Sequence, residues 1–271
     1  MVRSGRSIMR EKSAVICGVA RDVGDVLPRT IARIEQLGEM FADYRVVLYE
    51  NDSADGTGEA LAAWEEENLR VTILSEQRGD PVNLPIRSLE RAARMAYYRN
   101  RYREFIESTC PDFDHVIVVD TDLEAGWSYD GVANTFGHSD WDFVGSYGII
   151  QRAYWNQTLL LHYDAWAFRE EGSYAGIPTK VVNHMRWRRG DPMFRVYSCF
   201  GGLGVYQMQA MLTSKYDGSD CEHVAFHRNM LDVGLDRLYL NPSQITFYGR
   251  KANNLVRACN RLADTLFRRA A

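Results

Sequence analysis

His115-Val116-Ile117-Val118-Val119-Asp120-Thr121-Asp122 is an apolar, β-branched run that ends on two carboxylates. The run is too short for a helix. Its unbroken hydrophobicity suits a strand covered on both faces, as the central strand of a helix-flanked sheet is. In open sheets of that kind ligands bind just outside the carboxyl ends of the strands. Asp120 and Asp122, one residue apart in the turn that follows, can therefore meet one hard divalent cation, Mg2+ or Mn2+. Such an ion needs few protein carboxylates and leaves coordination positions for a diphosphate. On the tripeptide alone a second reading stays open, in which the two aspartates only cap the next loop.

Upstream, short β-rich runs alternate with helical patterns. Strands are expected at 14–20, 44–49 and 70–74, and helices at 26–41, 55–68 and 87–108, the last ended by Cys110-Pro111. Strand, helix, strand, helix, strand implies parallel crossovers and an α/β fold. Downstream the pattern loosens to a short helix at 129–137, a strand at 143–147 and an aromatic run at 159–168. A basic stretch from Glu170 to Arg195 follows, containing Lys180, Arg186, Arg188 and Arg189, and reads as a mobile lid over an anionic ligand or as a solvated loop. No internal repeat or low-complexity linker divides the chain, so one domain is expected over 13–250. Residues 1–12 are expected to be a flexible tail.

With 271 residues and 46% hydrophobic composition, the chain can bury a substantial core. A net charge of -4 argues against bulk nucleic-acid binding. The five cysteines are widely spread and lack a C-x-x-C pair, so neither a disulfide framework nor a cysteine zinc site is indicated. They read as reduced thiols of a cytoplasmic protein. No stretch reaches the length and apolarity of a membrane span.

Leu48-Tyr49-Glu50-Asn51-Asp52-Ser53-Ala54-Asp55-Gly56-Thr57 joins the second strand to its helix, and its acidic and amide groups can hold a base or ribose. One of Ser53 and Asp55 is expected to cap the helix instead. Gly201-Gly202-Leu203-Gly204 would let a backbone approach a sugar. Trp155, Trp166 and Trp187 offer flat faces for sugar stacking or, equally, core packing. His223 and His227 stand four residues apart, so on a helix they would share a face. Val224 replaces the Glu of the zinc-protease pattern, which removes that reading.

Taken together, the block at 48–57, Arg94 and Arg99 on the long helix and Asp120-Thr121-Asp122 resemble nucleotide-sugar glycosyltransferases of the GT-A fold over roughly residues 14–150. The resemblance implies that Glu50, Asp52, Arg94 and Arg99 contact the donor, that Asp120 and Asp122 hold a divalent metal on its diphosphate, and that a late histidine, His227, completes the metal shell. A narrower likeness rests on Tyr49-Glu50-x-x-Ser53-x-Asp55-x-Thr57, Tyr163-Asp164-Ala165-Trp166-Ala167-Phe168-Arg169, Cys199-Phe200-Gly201-Gly202 and Asp220-Cys221-Glu222-His223. These look like the fungal capsule-associated mannosyltransferases of glycosyltransferase family 69. That resemblance implies transfer of mannose from GDP-mannose to a hydroxyl with retention, dependent on a divalent metal. The chain departs from those enzymes in lacking a membrane anchor and in carrying Asn51-Asp52 where they are expected to have a serine-glycine-like pair.

Glycosyl transfer builds negative charge on a leaving diphosphate, which a metal and arginines neutralise. Arg99, Arg169 and one arginine of 186–195 are the candidates. An inverting enzyme also needs a carboxylate base near the acceptor, for which Asp164, Asp220 and Glu222 are available. The alternatives to a retaining mannosyltransferase are an inverting family-2-type enzyme using another nucleoside diphosphate hexose or deoxyhexose, and a non-catalytic sugar-binding protein. Residues 251–271 read as a basic amphipathic helix that either packs on the domain or lies peripherally at the inner face of a membrane, where glycolipid acceptors sit.

Overall fold

The structure is a computed structural model and describes residues 1–82, 86–154 and 157–251. The first half runs α1 (Val2–Met9), β1 (Ser13–Ala20), α2 (Leu27–Gly38), β2 (Asp43–Asn51), α3 (Thr57–Glu67), β3 (Val71–Glu76), α4 (Leu89–Thr109) and β4 (His115–Asp120). The second half runs β5 (Gly126–Trp127), α5 (Tyr129–Phe136), β6 (Phe143–Tyr154), β7 (Gln157–His162), β8 (Arg169–Glu170), α6 (Thr179–Val182), β9 (Phe194–Ser198), β10 (Leu203–Gln207), α7 (Met208–Thr213), α8 (Glu222–Asp232) and β11 (Leu238–Lys251).

One sheet carries these strands in the order β3-β2-β1-β4-β10-β6-β11-β9-β8, with β5 paired to β11 and β7 to β6. β1 to β4 pair in parallel through helical crossovers, as the alternation of patterns implies. β10 runs antiparallel between β4 and β6, while β6 and β11 pair in parallel. The sheet is therefore parallel from β3 to β4 and mixed beyond β4.

Both faces of the central strands are covered, which explains why they read as continuous apolar runs. Val15 and Cys17 of β1 and Val116 and Val118 of β4 face a core packed by α4 and α8. Ala14, Ile16, Ile117 and Val119 alternate with them and face a second core built with α2, α3 and α5. α4 starts where the Ser88 hydroxyl accepts the Arg91 amide (3.2 Å), and α5 starts where Ser128 does the same for Gly131 (3.0 Å).

Residues 1–12 are not a flexible tail. Residues 2–9 form α1, which docks on α5 with Met9 fully buried. Gly5 permits this docking: a Cβ there would lie 1.7 Å from the Ala133 carbonyl oxygen. Arg6 adds an ion pair to Asp130 (2.7 Å). The expected helix at 251–271 lies outside the described residues, apart from Lys251 at the end of β11. Among the described residues no helix is long and apolar enough to cross a membrane.

Candidate active site

A cleft of about 720 Å3 opens at the carboxyl ends of β1, β2 and β4. Val19, Arg21, Asp22 and Asn51 line one end; Arg87, Arg91, Met95 and Arg99 form one wall; Asp120 to Asp122, Tyr163, Asp164, Phe200, Glu222, His223 and Tyr248 form the floor and the far wall.

Asp120 and Asp122 are held by hydroxyls. Tyr163 Oη donates to Asp120 Oδ2 (2.8 Å), and the Tyr248 hydroxyl bonds to Asp122. The two tyrosine rings stack on each other with centroids 4.7 Å apart, so one aromatic pair fixes both carboxylates. Between them Thr121 is buried, its hydroxyl donating to the Val19 carbonyl (2.8 Å) and its own carbonyl accepting from Thr30 Oγ1 (3.0 Å). The strand end is thus locked while its acidic side chains stay at the cleft. Burial pushes the Asp120 carboxyl above the ordinary range, against the pull of the Arg99 charge and the Tyr163 hydroxyl.

Arg99, only 3% exposed, ties the floor together. Its Nε donates to Glu222 Oε1 (3.2 Å) and its Nη2 to Asp120 Oδ1 (3.5 Å), with its guanidinium 5.2 Å from the Phe200 ring centroid. Burial opposes its charge, but Tyr102, Glu222 and Asp120 hold its pKa well above the ordinary arginine value. Asp164 sits in the left-handed region (φ 57°), with Oδ2 enclosed and without a hydrogen-bond partner. Its pKa is pushed up to about 8, first by burial and then by the charges of Asp120 and Glu222, opposed by Arg99 and Arg91. His223 stacks on Phe200 with centroids 3.9 Å apart; neither ring nitrogen has a hydrogen-bond partner, and Nε2 lies 4.0 Å from Glu222 Oε1. Burial, then the Arg99 charge, holds its pKa well below the ordinary histidine value.

No family model matches the chain, and no curated protein matches it. Solved structures do. A mannosyltransferase from Pyrobaculum calidifontis in complex with GDP-Man and Mn2+ superposes with a TM-score of 0.52 at 12% identity, over 89% of this chain and 57% of that one. GalNAc-T7 with UDP, GalNAc and Mn2+ gives 0.54 at 12% identity, over 90% of this chain and 44% of that one. A mycobacterial protein gives 0.52 at 15% identity, over 91% and 70%. The fold is GT-A. The chain spans roughly half the length of the two transferases it superposes on.

Within this GT-A chain the expected donor, metal and catalytic residues divide into two groups. Arg99, Asp120, Asp122, Asp164 and Glu222 converge on the cleft. The others hold the protein together. Glu50 is buried and accepts from the Ser53 amide (3.0 Å) and the Ser75 hydroxyl (2.6 Å). Asp52 has φ 54°; its Oδ1 accepts the Arg78 and Gly79 amides (2.8 Å each), and its Oδ2 accepts the Asp80 amide (3.1 Å) and Asn51 Nδ2 (2.8 Å). Burial would raise its pKa, but these donors hold it at about 2. Neither side chain faces the cleft, and Asn51 takes that place. Arg94 on α4 does not line the cleft either.

Arg169 does not reach a donor. Its N–H groups go to the carbonyls of Trp166 (2.7 Å), Phe168 (2.9 Å) and Tyr174 (2.9 Å) and to both oxygens of Asp220 (3.0 and 3.1 Å). Asp220, which also accepts the Cys221 amide (2.6 Å), is thereby spent on fixing the start of α8. His227 is on α8, four residues from His223 as expected, but it is fully buried. Its two ring nitrogens are engaged by Ser198 Oγ (2.9 Å) and Tyr206 Oη (3.0 Å), so it is no metal ligand.

The basic stretch is anchored rather than lid-like: Arg186 donates to the carbonyls of Asn183, Met185 and Leu160, and Arg189 to Ser128 Oγ. Gly201 and Gly202 (φ 66° and 89°) serve chain packing, since a Cβ on Gly201 would lie 2.2 Å from the Ser146 carbonyl oxygen. Trp187 is packed among Tyr147, His162, Phe168 and Phe194, Trp166 lines the cleft, and Trp155 lies outside the described residues.

The arginines that do face the cleft, besides Arg99, are Arg21, Arg87 and Arg91. A signal for one of them exists in the sequence: Arg91, Met95 and Arg99 recur every four residues along α4, the spacing of one helix face, while Arg87 precedes the capping Ser88.

Among the described residues no group of three or more His, Cys, Asp and Glu side chains forms a metal cage. The Asp120 and Asp122 carboxylates at an open cleft nevertheless fit a hard divalent ion that takes its remaining oxygens from phosphate and water. The enclosed Oδ2 of Asp164 has no hydrogen-bond partner, and burial together with the charges of Asp120 and Glu222 keeps this carboxyl mostly protonated below about pH 8.

Proposed function

We propose that the protein is a metal-dependent glycosyltransferase that moves a hexose from a nucleoside diphosphate sugar onto a hydroxyl of a glycan or glycolipid. The observation that carries this reading is the Asp120-Thr121-Asp122 turn, held at the cleft by Tyr163 and Tyr248 and backed by Arg99. Asp120 and Asp122 would hold Mn2+ or Mg2+, which supplies charge to stabilise a leaving diphosphate.

The chain's own residues do the rest. Arg87 and Arg91 form a cationic wall along which an anionic diphosphate is drawn and oriented. Arg99 keeps Asp120 and Glu222 in place and offsets their charge in a poorly solvated floor. Asn51, with its Oδ1 enclosed and unpartnered, and Arg21 stand at the nucleoside end. The donor we favour is GDP-mannose, used with retention in surface polysaccharide synthesis. Its support is the motif likeness at residues 49–57, 163–169, 199–202 and 220–223 and the GDP-Man complex among the structural neighbours.

A second reading has its own observation. A carboxyl whose pKa stands at about 8 is matched to proton abstraction near neutral pH, so Asp164 favours an inverting transfer with Asp164 as base. Glu222 is less suited, being paired with Arg99.

Thermal stability against GDP-, UDP-, dTDP- and CMP-linked sugars, each with and without Mn2+, tests the assignment. A Mn2+-dependent rise with one nucleotide family supports it and names the base; no rise with any of them overturns it. Product anomeric configuration by NMR then separates retention from inversion.

A further inference from the structure

The mouth of the cleft carries a feature that donor chemistry does not use. Ile86 and Leu89 at the start of α4, Leu159 and Leu160 on β7 and Val181 on α6 are each between 41% and 60% exposed. These segments adjoin one another: Arg87 donates to the Thr179 hydroxyl, the His162 amide donates to Asn183 Oδ1 (3.0 Å), and Arg186 Nη2 donates to the Leu160 carbonyl (2.9 Å). Ile86, Arg87, Ile150, His162 and Thr179 from the same segments line the cleft itself, so the exposed apolar side chains lie on the segments that border its opening. Among the described residues β7 pairs only with β6, and its consecutive Leu159 and Leu160 must point to opposite faces of the ribbon, so both faces are apolar at the surface. A soluble protein rarely exposes such a patch without a partner.

The charge around this collar selects the partner. Residues 86–89, 149–152, 158–162 and 177–190 carry six cations (Arg87, Arg152, Lys180, Arg186, Arg188 and Arg189) and no carboxylate, in a chain whose net charge is -4. Among the described residues none of the six forms an ion pair. Two acids border these segments in sequence, the exposed Glu90 and Asp191, and Asp191 accepts the Arg188 amide (2.7 Å). Exposed aliphatic side chains interleaved with cations that no carboxylate neutralises match the boundary of an anionic bilayer, where apolar groups enter the acyl region and arginines meet lipid phosphates.

We infer that this collar docks on an anionic membrane surface with the cleft opening against the lipid. The docking stands apart from the transferase reading; that an acceptor or product enters from the bilayer rests on that reading.

Sedimentation of the full chain with vesicles tests it, using phosphatidylcholine alone and phosphatidylcholine containing phosphatidylglycerol. Binding is expected only to the anionic vesicles and should fall at least tenfold between 0.1 and 1 M salt, as the screening length drops from about 10 to about 3 Å. The triple variant Arg152→Glu, Lys180→Glu, Arg188→Glu avoids Arg87, Arg186 and Arg189, whose side chains hold other residues, and should lose at least tenfold in binding. Each basic residue near an anionic surface contributes a factor of about five. Leu159→Asp with Leu160→Asp should lose a similar amount at an unchanged melting temperature.

Reversing Arg257, Arg261, Arg268 and Arg269 to Glu separates the collar from the basic terminus. If that variant alone loses binding, the collar is not the docking surface. Equal binding to neutral vesicles, no binding to either, or a concentration-dependent dimer abolished by the leucine substitutions would also overturn the inference. Because vesicle binding needs no donor, a failed nucleotide screen leaves this result interpretable.

Discussion

The end of β2 and the end of β4 both turn at the same edge of the sheet on aspartate-bearing sequences, Asn51-Asp52-Ser53 and Asp120-Thr121-Asp122, yet they use those aspartates differently. Asp52 points back into its own loop, and three amides and one side-chain amide fill its oxygens. Asp120 and Asp122 are steadied by tyrosine hydroxyls, with a threonine between them taking over the backbone work. An acid whose oxygens are filled by backbone amides shapes the chain, whereas an acid braced by side chains from other elements is held ready for something outside the chain.

The largest effect is expected from Asp122→Asn. Removing one charge from the pair should lower transfer by about 10^3-fold or more, of the size seen when a principal electrostatic contact to a leaving group is lost, with the melting temperature unchanged. An active, well-folded variant would erase the distinction between the two turns. Tyr163→Phe sharpens it: the Asp120 carboxylate stays but loses its brace, and Mn2+ affinity in the presence of nucleotide should weaken by about 10- to 100-fold, as for other groups that orient metal ligands. Titrating transfer against Mn2+ measures this.

Asp52→Ala should do the reverse. Chemical denaturation should show a less stable protein, several degrees lower in melting temperature, because three amides of the 78–80 loop lose their acceptor and a non-glycine residue remains at positive φ. Once folded, it should keep most of its nucleotide affinity. If affinity collapses instead while stability holds, Asp52 belongs with the ligand-facing acids.

His227 gives the smallest and most pH-selective test. Burial holds its pKa at about 3, so it stays neutral in the folded chain, while the unfolded chain takes up a proton near pH 6.5. Its contribution to stability is therefore complete above pH 6.5 and declines as the pH falls toward 3, by about 2 kcal/mol between pH 7 and pH 5. His115, held at about 4 by burial, adds to the same slope. Denaturation midpoints at pH 7.5, 6 and 5 should converge for His227→Gln relative to the parent. An unchanged slope would place its titration elsewhere.

How far the sequence carried these distinctions follows from the same physics. β1 to β4 were legible because strands buried on both faces must be apolar without interruption, and the helices between them because each crossover needs one apolar stripe. The Asp-x-Asp turn was legible because it stands at the end of such a strand. The arginines were not: Arg169 and Arg91 look alike in a sequence, and only the fold shows that the first has given its donors to three carbonyls and Asp220. His227 misled for a similar reason, since the helical spacing was right but the face it shares with His223 turns inward onto Ser198 and Tyr206. α1 escaped notice because its core-facing stripe is short, Val2, Gly5 and Met9 in a polar, basic segment, and its close docking depends on a missing side chain at Gly5.

The position of β10 between β4 and β6 sets a schedule for the ribosome. The edge of β4 that β10 will occupy is finished at residue 120, but its partner begins only at residue 203. At synthesis rates of about 5–20 residues per second, that edge stays unpaired for several seconds. During that interval a strongly β-branched strand is open to pairing with any neighbouring chain. A nascent chain halted between these two points is thus the species that chaperones would most need to shield, and the segment ending at residue 120 does not close its own sheet.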